Sequence, residues 1–316
     1  MADTDTSMDR SVMIAKLVWA GRGMSKSALR VALARPMPST TIIVDESDLD
    51  AHSLWVEEGI RGAGVVAVDV EGVGLSRSGP ATWISFGWVE GSEVKVALVW
   101  IDAQTGDPAV VDWVCQLVAE TDGDEGPFWL FWDVRIDSDA LHHQQGITLP
   151  AQRVLDVQLL NAMEYYKRTG NSHNYRTGLD KGVSLVASGV GMGKEAVKAK
   201  LARVARNEFG RGATWFAVWG MRALPEDAIL YAACDVIGIL LVFACHARAR
   251  HLQDSAWVET LCKSASDVAV FRGVEREVSF SKRHCRISSP RVWAQEAKAS
   301  EASGQSRAKR GFVSLQ

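Results

Sequence analysis

The sequence predicts an α/β domain built on a mixed β-sheet flanked by helices. Three strand patterns follow one another between residues 64 and 101, and helix and strand patterns then alternate along the chain. The 316 residues include 47% hydrophobic and 23% charged side chains, which is enough apolar surface for a large core. We therefore expect one large domain with extensions at both ends.

The first half of the domain contains most of the predicted strands. TIIV at 41–44 predicts a strand, and 45–62 predicts a helix with an acidic first turn and a final glycine. Residues 64–79 read as a strand that runs into a glycine-rich turn, and 81–88 and 93–101 read as two further strands. Consecutive strands of this kind are typical of the antiparallel part of a mixed sheet.

The second half is predicted to be mainly helical. FWLFW at 128–132 is a continuous apolar run, typical of a short strand that is buried on both faces. Helices are predicted at VVDWVCQLVAET, DSDALHHQQG, LDVQLLNAMEYYKR, LDKGVSLVAS and KEAVKAKLARVARN. The longest helix is predicted over 225–251, with Pro225 near its first turn.

Within this longest helix, residues 228–245 carry Asp235 as their only charge. A membrane-spanning helix needs about 20 apolar residues, and an acid at mid-span is costly, so we predict a buried core helix. Tyr231 lies four residues before Asp235 and shares its helix face. The alternative to a functional role is a buried acid that is hydrogen-bonded to a core tyrosine.

Composition excludes several classes of protein. With 35 basic and 38 acidic residues, the net charge of −3 excludes a protein that coats nucleic acid by bulk charge, although an enzyme could still grip a strand end through bound metal ions. The five cysteines include no CxxC, which favours reduced thiols over a disulfide framework or a zinc site. Because the N-terminus is polar and acidic, we do not expect it to act as a secretory signal. We expect a cytoplasmic or nuclear protein that does not insert into a membrane.

Two acids occupy alternate positions of the strand VVAVDVEGVG. Side chains of a strand alternate between faces, so Asp69 and Glu71 project to one face while Val68 and Val70 project to the other. Neighbouring carboxylates at the end of an apolar strand repel each other, and a divalent cation would compensate for that repulsion. The alternative is a solvent-exposed strand end.

A further acid, Asp137, is predicted to start the helix that follows FWLFW. The alternative interpretation is that Asp137 or Ser138 caps this helix. Asp133 and Asp139 are nearby acids that could take any role assigned to Asp137.

Together, a strand Asp-x-Glu, a later helix-start Asp and a late Tyr-x-x-x-Asp helix resemble the DEDD superfamily of 3′–5′ exonucleases, in the tyrosine-bearing (DEDDy) branch that includes ribonuclease D and the Werner-type exonuclease domain. LDKGVSLVA and WGMRALPEDAILYAACD are similar to further family segments, and Asp156 falls at a family aspartate. VDVEGVGLSRSG and DVRIDSDALHHQQGI resemble the RNA-linked Egalitarian-like subgroup. The resemblance spans residues 41–250, with Ala223 and Ser85 as departures.

This resemblance implies a ribonuclease H-like fold and hydrolysis of single-stranded nucleic acid from its 3′ end, with RNA favoured over DNA. It implies that Asp69, Glu71 and Asp235 hold an Mg²⁺ or Mn²⁺ ion that activates water, and that Asp69 and Asp137 support a second ion. Tyr231 would orient the water or help to deprotonate it. Without the ions the acids would repel, so we expect a loose metal-free site.

Other charged segments are weaker candidates. Arg135 and Arg222 flank the acidic motifs and could contact phosphates, with surface ion pairs as the alternative. SGVGMGKEA at 188–196 looks like a phosphate loop, but it lacks the P-loop spacing and is interpreted as a connector. His142 and His143 have no third ligand at a matching spacing, which favours a solvated helix face over a metal site.

The expected organisation is an N-terminal extension at 1–40, a 3′–5′ exonuclease domain at 41–252, a C-terminal extension at 253–293 and a tail at 294–316. The tail has too few apolar residues to offset ordering entropy, so we expect it to be disordered. The rival function is an RNA-binding adaptor on the same scaffold with little or no turnover. The complete set of five site residues favours the enzyme.

Overall fold

A computed structural model describes residues 10–34, 39–120, 126–169, 177–188, 190 and 192–248, with seven further positions between 257 and 268. Within these described ranges there are six strands, which are β1 (Ser39–Ile43), β2 (Val65–Gly72), β3 (Ala81–Glu90), β4 (Glu93–Trp100), β5 (Phe128–Phe131) and β6 (Val154–Asp156). They form one mixed sheet in the order β1-β4-β3-β2-β5-β6. Strands β2, β3 and β4 pair antiparallel, whereas β1, β5 and β6 join by parallel pairing. The predicted mixed α/β sheet is confirmed.

The helices are α1 (Arg10–Gly23), α2 (Lys26–Ala34), α3 (Glu46–Gly62), α4 (Pro108–Glu120), α5 (Val134–Gln145), α6 (Val157–Thr169), α7 (Leu179–Val186), α8 (Lys194–Phe209) and α9 (Glu226–Ala247). Short 3₁₀ turns lie at Ala151–Arg153 and Trp215–Gly220. The sequence does not predict β6, since Leu155 and Asp156 fall in the segment LDVQLLNAMEYYKR that is predicted to be a helix. Three residues are too few for strand alternation to show, and pairing with β5 determines their conformation.

Two hydrophobic layers lie on opposite faces of the sheet. Helix α9 packs on one face, against β2, β3 and β4, while α3 and α4 pack on the other side. In β2, Val65 and Ala67 belong to the core beneath α9, and Val66, Val68 and Val70 belong to the opposite core. Because strand residues alternate, the next odd-numbered positions of β2 also face α9.

Helix α9 is a core helix. By length and composition it could cross a membrane, but 83% of its most apolar stretch is buried inside the protein. Gly87 of β3 allows this close packing, since a Cβ added there would lie 2.8 Å from Cβ of Val236. The sequence prediction of a buried helix is confirmed.

Helices α1 and α2, from the predicted N-terminal extension, pack against α9, and β1 begins at Ser39. The predicted tail at 294–316 and most of the extension at 253–293 lie outside the described residues. The proposed division of the chain into domains remains a prediction.

Candidate active site

Three carboxylates meet between β2 and α9. Asp69 and Glu71 extend the row of β2 side chains that faces α9, and Asp235 comes from α9 itself. One carboxylate oxygen from each of the three lies within 4.8 Å of the others. Asp69 and Glu71 are partly buried, and Asp235 is 5% exposed. This group of residues, which we call the acidic cluster, is thus assembled by strand alternation and by the close packing of α9 on the sheet.

Asp137 lies beside the acidic cluster but is not a member of it. Helix α5 begins at Val134, so Asp137 falls in its first turn rather than at the cap position, and its side chain is buried. The helix-cap interpretation of Asp137 is therefore wrong. Its pKa is raised, first by burial and then by the charge of Asp69, which places the two carboxylates within electrostatic range.

The start of α5 is held in place by Asp156, at the end of β6. Its Oδ1 accepts hydrogen bonds from the backbone N–H groups of Asp133, at 3.1 Å, and Gln158, at 2.9 Å. Asp133 has a φ of 68°, a left-handed conformation that Asp tolerates better than most residues. Asp156 therefore fixes the turn from which α5 presents Asp137.

Tyr231 lies one turn before Asp235 on α9 and is 7% exposed. Its ring centroid is 5.4 Å from that of Trp215 and 5.9 Å from that of Trp219. Burial, followed by the charges of Asp235 and Glu71, raises the pKa of the Tyr231 hydroxyl. The hydroxyl is consequently protonated at neutral pH and can donate a hydrogen bond.

Lys194, which sequence reasoning missed, places its ammonium in the acidic cluster. Its Nζ forms an ion pair with Oδ1 of Asp235 and lies 4.6 Å from the centroid of the Tyr231 ring. The interpretation of residues 188–196 as only a connector is therefore incomplete. One signal was available in the sequence: Lys194 opens α8, and the helix dipole disfavours a cation at an N-terminus.

The pKa values of the three acids in the cluster are raised, because the nearby positive charge does not fully compensate for their burial and mutual repulsion. Burial, then the charge of Asp235, raises the pKa of Asp69 to about 7, and burial also raises the pKa values of Glu71 and Asp235. Lys194 opposes each of these shifts. A divalent cation would oppose them more strongly, and oxygen ligands at this spacing suit Mg²⁺ or Mn²⁺. The residues present therefore fit a bound divalent cation.

The two arginine candidates have different environments. Arg135 is 4% exposed and donates to both carboxylate oxygens of Asp133, at 2.6 and 2.8 Å. Arg135 thus forms the ion pair that is the alternative to phosphate binding, but its own side chain is buried rather than at the surface. Arg222 is exposed and lies 2.9 Å from Asp45, at the N-terminus of α3.

Neither histidine candidate joins a metal site. His142 Nδ1 lies 3.2 Å from the Thr148 hydroxyl, and His143 lies 3.6 Å from Asp139. Within the described ranges, the acidic cluster is the single group of three or more potential metal-binding side chains.

An aromatic pair adjoins Tyr231. The rings of Trp215 and Phe216 stack with their centroids 4.0 Å apart, and Phe216 is 45% exposed. Lys198 Nζ lies 5.4 Å from the Trp215 ring centroid.

Comparison with known proteins identifies the fold. No protein-family model and no curated protein matches this sequence. The chain is similar to Trypanosoma brucei RNase D in complex with RNA U12, with a TM-score of 0.62, 19% identity, and coverage of 86% of this chain and 82% of that one. The T. brucei RNase D–GMP complex has a TM-score of 0.61, 20% identity, and coverage of 85% and 73%. The fold is ribonuclease H-like. The predicted fold class is confirmed.

Proposed function

We propose that this protein is a metal-dependent 3′–5′ exonuclease that hydrolyses single-stranded nucleic acid, with RNA favoured over DNA. The observation that carries the proposal is the convergence of Asp69, Glu71 and Asp235 within 4.8 Å, on the fold of ribonuclease D. These are the carboxylates that the DEDDy resemblance assigns to metal binding. A cytoplasmic or nuclear location belongs to the same proposal.

In this mechanism Asp69, Glu71 and Asp235 would hold one Mg²⁺ or Mn²⁺ ion, and Asp69 and Asp137 would support a second. The two ions would supply an activated water and neutralise charge on the phosphate and the leaving oxygen. The chain itself positions the water through the Tyr231 hydroxyl. The Tyr231 hydroxyl, one helical turn before Asp235, would orient that water or help to deprotonate it.

The substrate strand would approach over the Trp215–Phe216 pair. An exposed aromatic ring offers a stacking surface to any base, and the Lys198 ammonium beside Trp215 can attract a backbone phosphate. The similar T. brucei RNase D structure contains RNA U12, which supports an RNA substrate for this chain. The resemblance to the Egalitarian-like subgroup points in the same direction.

One observation favours the rival proposal of an RNA-binding adaptor with weak or no turnover. The Lys194 ammonium already contacts Asp235 and partly neutralises the acidic cluster without a metal ion. An adaptor could keep such a site as a structural ion-pair network. Activity measurements are therefore needed to separate the two functions.

The test uses single strands of RNA and DNA labelled at the 3′ or the 5′ end, with Mg²⁺ or Mn²⁺. An exonuclease of the proposed polarity releases the 3′ label at once, and shortens the 5′-labelled strand stepwise. EDTA should stop both reactions. Activity that persists in EDTA, or shortening of a strand whose 3′ end is blocked, would contradict the mechanism. Firm binding without shortening would favour the adaptor.

A further inference from the structure

Lys194 lies deep in the acidic cluster. Its side chain is 11% exposed and that of its partner Asp235 is 7% exposed. Asp69 and Glu71 also act on this ammonium electrostatically, so the lysine faces three carboxylates from two elements. The ammonium is therefore stabilised by the neighbouring carboxylates rather than by hydration.

The backbone that carries Lys194 is fixed to the rest of the site. The N–H of Met192 donates to Asp180 Oδ1 at 3.0 Å. The Met192 side chain packs on α9 at Gly238, with its Cε 3.0 Å from the position that a Cβ would occupy there. The first turn of α8 is thereby anchored to the helix that carries Asp235. The lysine side chain has four rotatable bonds, so the ammonium can move while its backbone stays in place.

The position of Lys194 is unfavourable for α8 itself. It is the first residue of that helix, where the partial positive charge of the N-terminus repels a cation. The carboxylates of the acidic cluster supply the compensating attraction. The helix therefore presents its lysine to a set of acids that would otherwise repel one another.

We infer that Lys194 is a built-in counter-cation of the metal-free site, and that a divalent cation binding the acidic cluster displaces its ammonium from Asp235. Both cations would be held by the same carboxylates, and their like charges repel at contact distance. The lysine would thus keep the site assembled without metal while weakening the binding of the ion. This inference rests on the metal site of the proposed function.

The first experiment measures Mn²⁺ binding by isothermal titration calorimetry. Lys194→Met keeps the aliphatic stem and removes the competing charge, so we expect Mn²⁺ to bind about tenfold more tightly or better. The matched control is Lys200→Met, which removes a charge from the same helix, where Lys200 is 61% exposed and pairs with Asp227. The control should bind Mn²⁺ as the wild type does. Equal or weaker binding by a folded Lys194→Met protein would overturn the inference.

The second experiment uses the wild-type protein, so it does not depend on the folding of a variant. Lysines are acetylated with a limiting amount of acetic anhydride and quantified by mass spectrometry, with and without Mn²⁺. Release from Asp235 should raise the acetylation rate of Lys194 about tenfold, since a buried, paired ammonium reacts slowly. The rate at Lys200 should not change. A Lys194 rate that stays constant or falls when Mn²⁺ binds would overturn the inference.

The two experiments also separate this inference from the proposed function. Absence of Mn²⁺ binding by the wild type would remove the metal site and the inference together. Mn²⁺ binding that is indifferent to Lys194 would remove the inference and leave the exonuclease proposal intact.

Discussion

Asp235→Asn separates the enzyme from the adaptor. The substitution keeps the size of the side chain and removes one charge from the acidic cluster. In the metal-free protein it breaks the buried ion pair with Lys194, and losing one partner of a buried pair typically costs about 3–5 kcal/mol. Lys194 keeps the electrostatic attraction of Asp69 and Glu71, and the repulsion among the acids falls. The net loss of stability should therefore be only about 1–2 kcal/mol.

The expected effect on turnover is much larger. In the proposed mechanism the ion that activates water would lose a charged ligand, and stabilisation of the transition state by such an ion amounts to several kcal/mol. Loss of about 4 kcal/mol corresponds to a decrease of about 10³-fold in turnover. Binding of the strand should weaken by less than about tenfold, because the proposed stacking on Phe216 and the proposed contact with Lys198 do not involve Asp235.

The assay compares wild type and Asp235→Asn for cleavage of 3′-labelled RNA and for RNA binding by fluorescence anisotropy, both in Mn²⁺. Asp227→Asn is the matched control, since Asp227 lies on the same helix and pairs with Lys200 at the surface. The control should retain full turnover. Equal cleavage by wild type and Asp235→Asn would refute the catalytic assignment. No cleavage by either, with firm RNA binding by both, would support the adaptor.

Three further predictions follow from the geometry. Tyr231→Phe removes only the hydroxyl, so turnover should fall about 10²-fold while calorimetric Mn²⁺ affinity stays unchanged; equal losses in both would contradict the orienting role. Burial raises the pKa of Asp156 to about 8. In the unfolded chain this carboxyl ionises at about pH 4, so the free energy of unfolding, measured in EDTA, should fall as pH rises from about 4 to about 8. Asp156→Asn should reduce this slope in urea titrations at pH 5 and pH 8, and an unchanged slope would assign the dependence to other groups. Gly87→Ala should lower the free energy of unfolding by about 1–3 kcal/mol and lower turnover, since the new Cβ would lie 2.8 Å from Val236 on α9. The control Gly62→Ala places its Cβ in open space and should change neither stability nor turnover.

The local arrangement of the acids could be predicted from the sequence because it depends on short-range periodicity. Alternation along β2 places Asp69 and Glu71 on one face of the strand, and the helical repeat places Tyr231 and Asp235 on one face of α9. A lone acid in an otherwise apolar helix indicated that Asp235 has a partner, although not which one. Residue patterns were enough for the mixed α/β class, and the resemblance to the DEDD superfamily implied the ribonuclease H-like fold and the grouping of the acids.

Contacts between distant segments were decided only by the tertiary structure. Lys194 lies 41 positions before Asp235, and no periodicity connects the two. The loose metal-free site expected from four acids alone omitted this lysine, because the sequence does not show which cation a buried acid meets. Arg135 is a second example. It was a candidate for phosphate binding because it is close to the acids in sequence, whereas in the structure its buried guanidinium donates to Asp133. Buried charges are paired by the packing of whole elements, and that packing depends on the complete core rather than on any single segment.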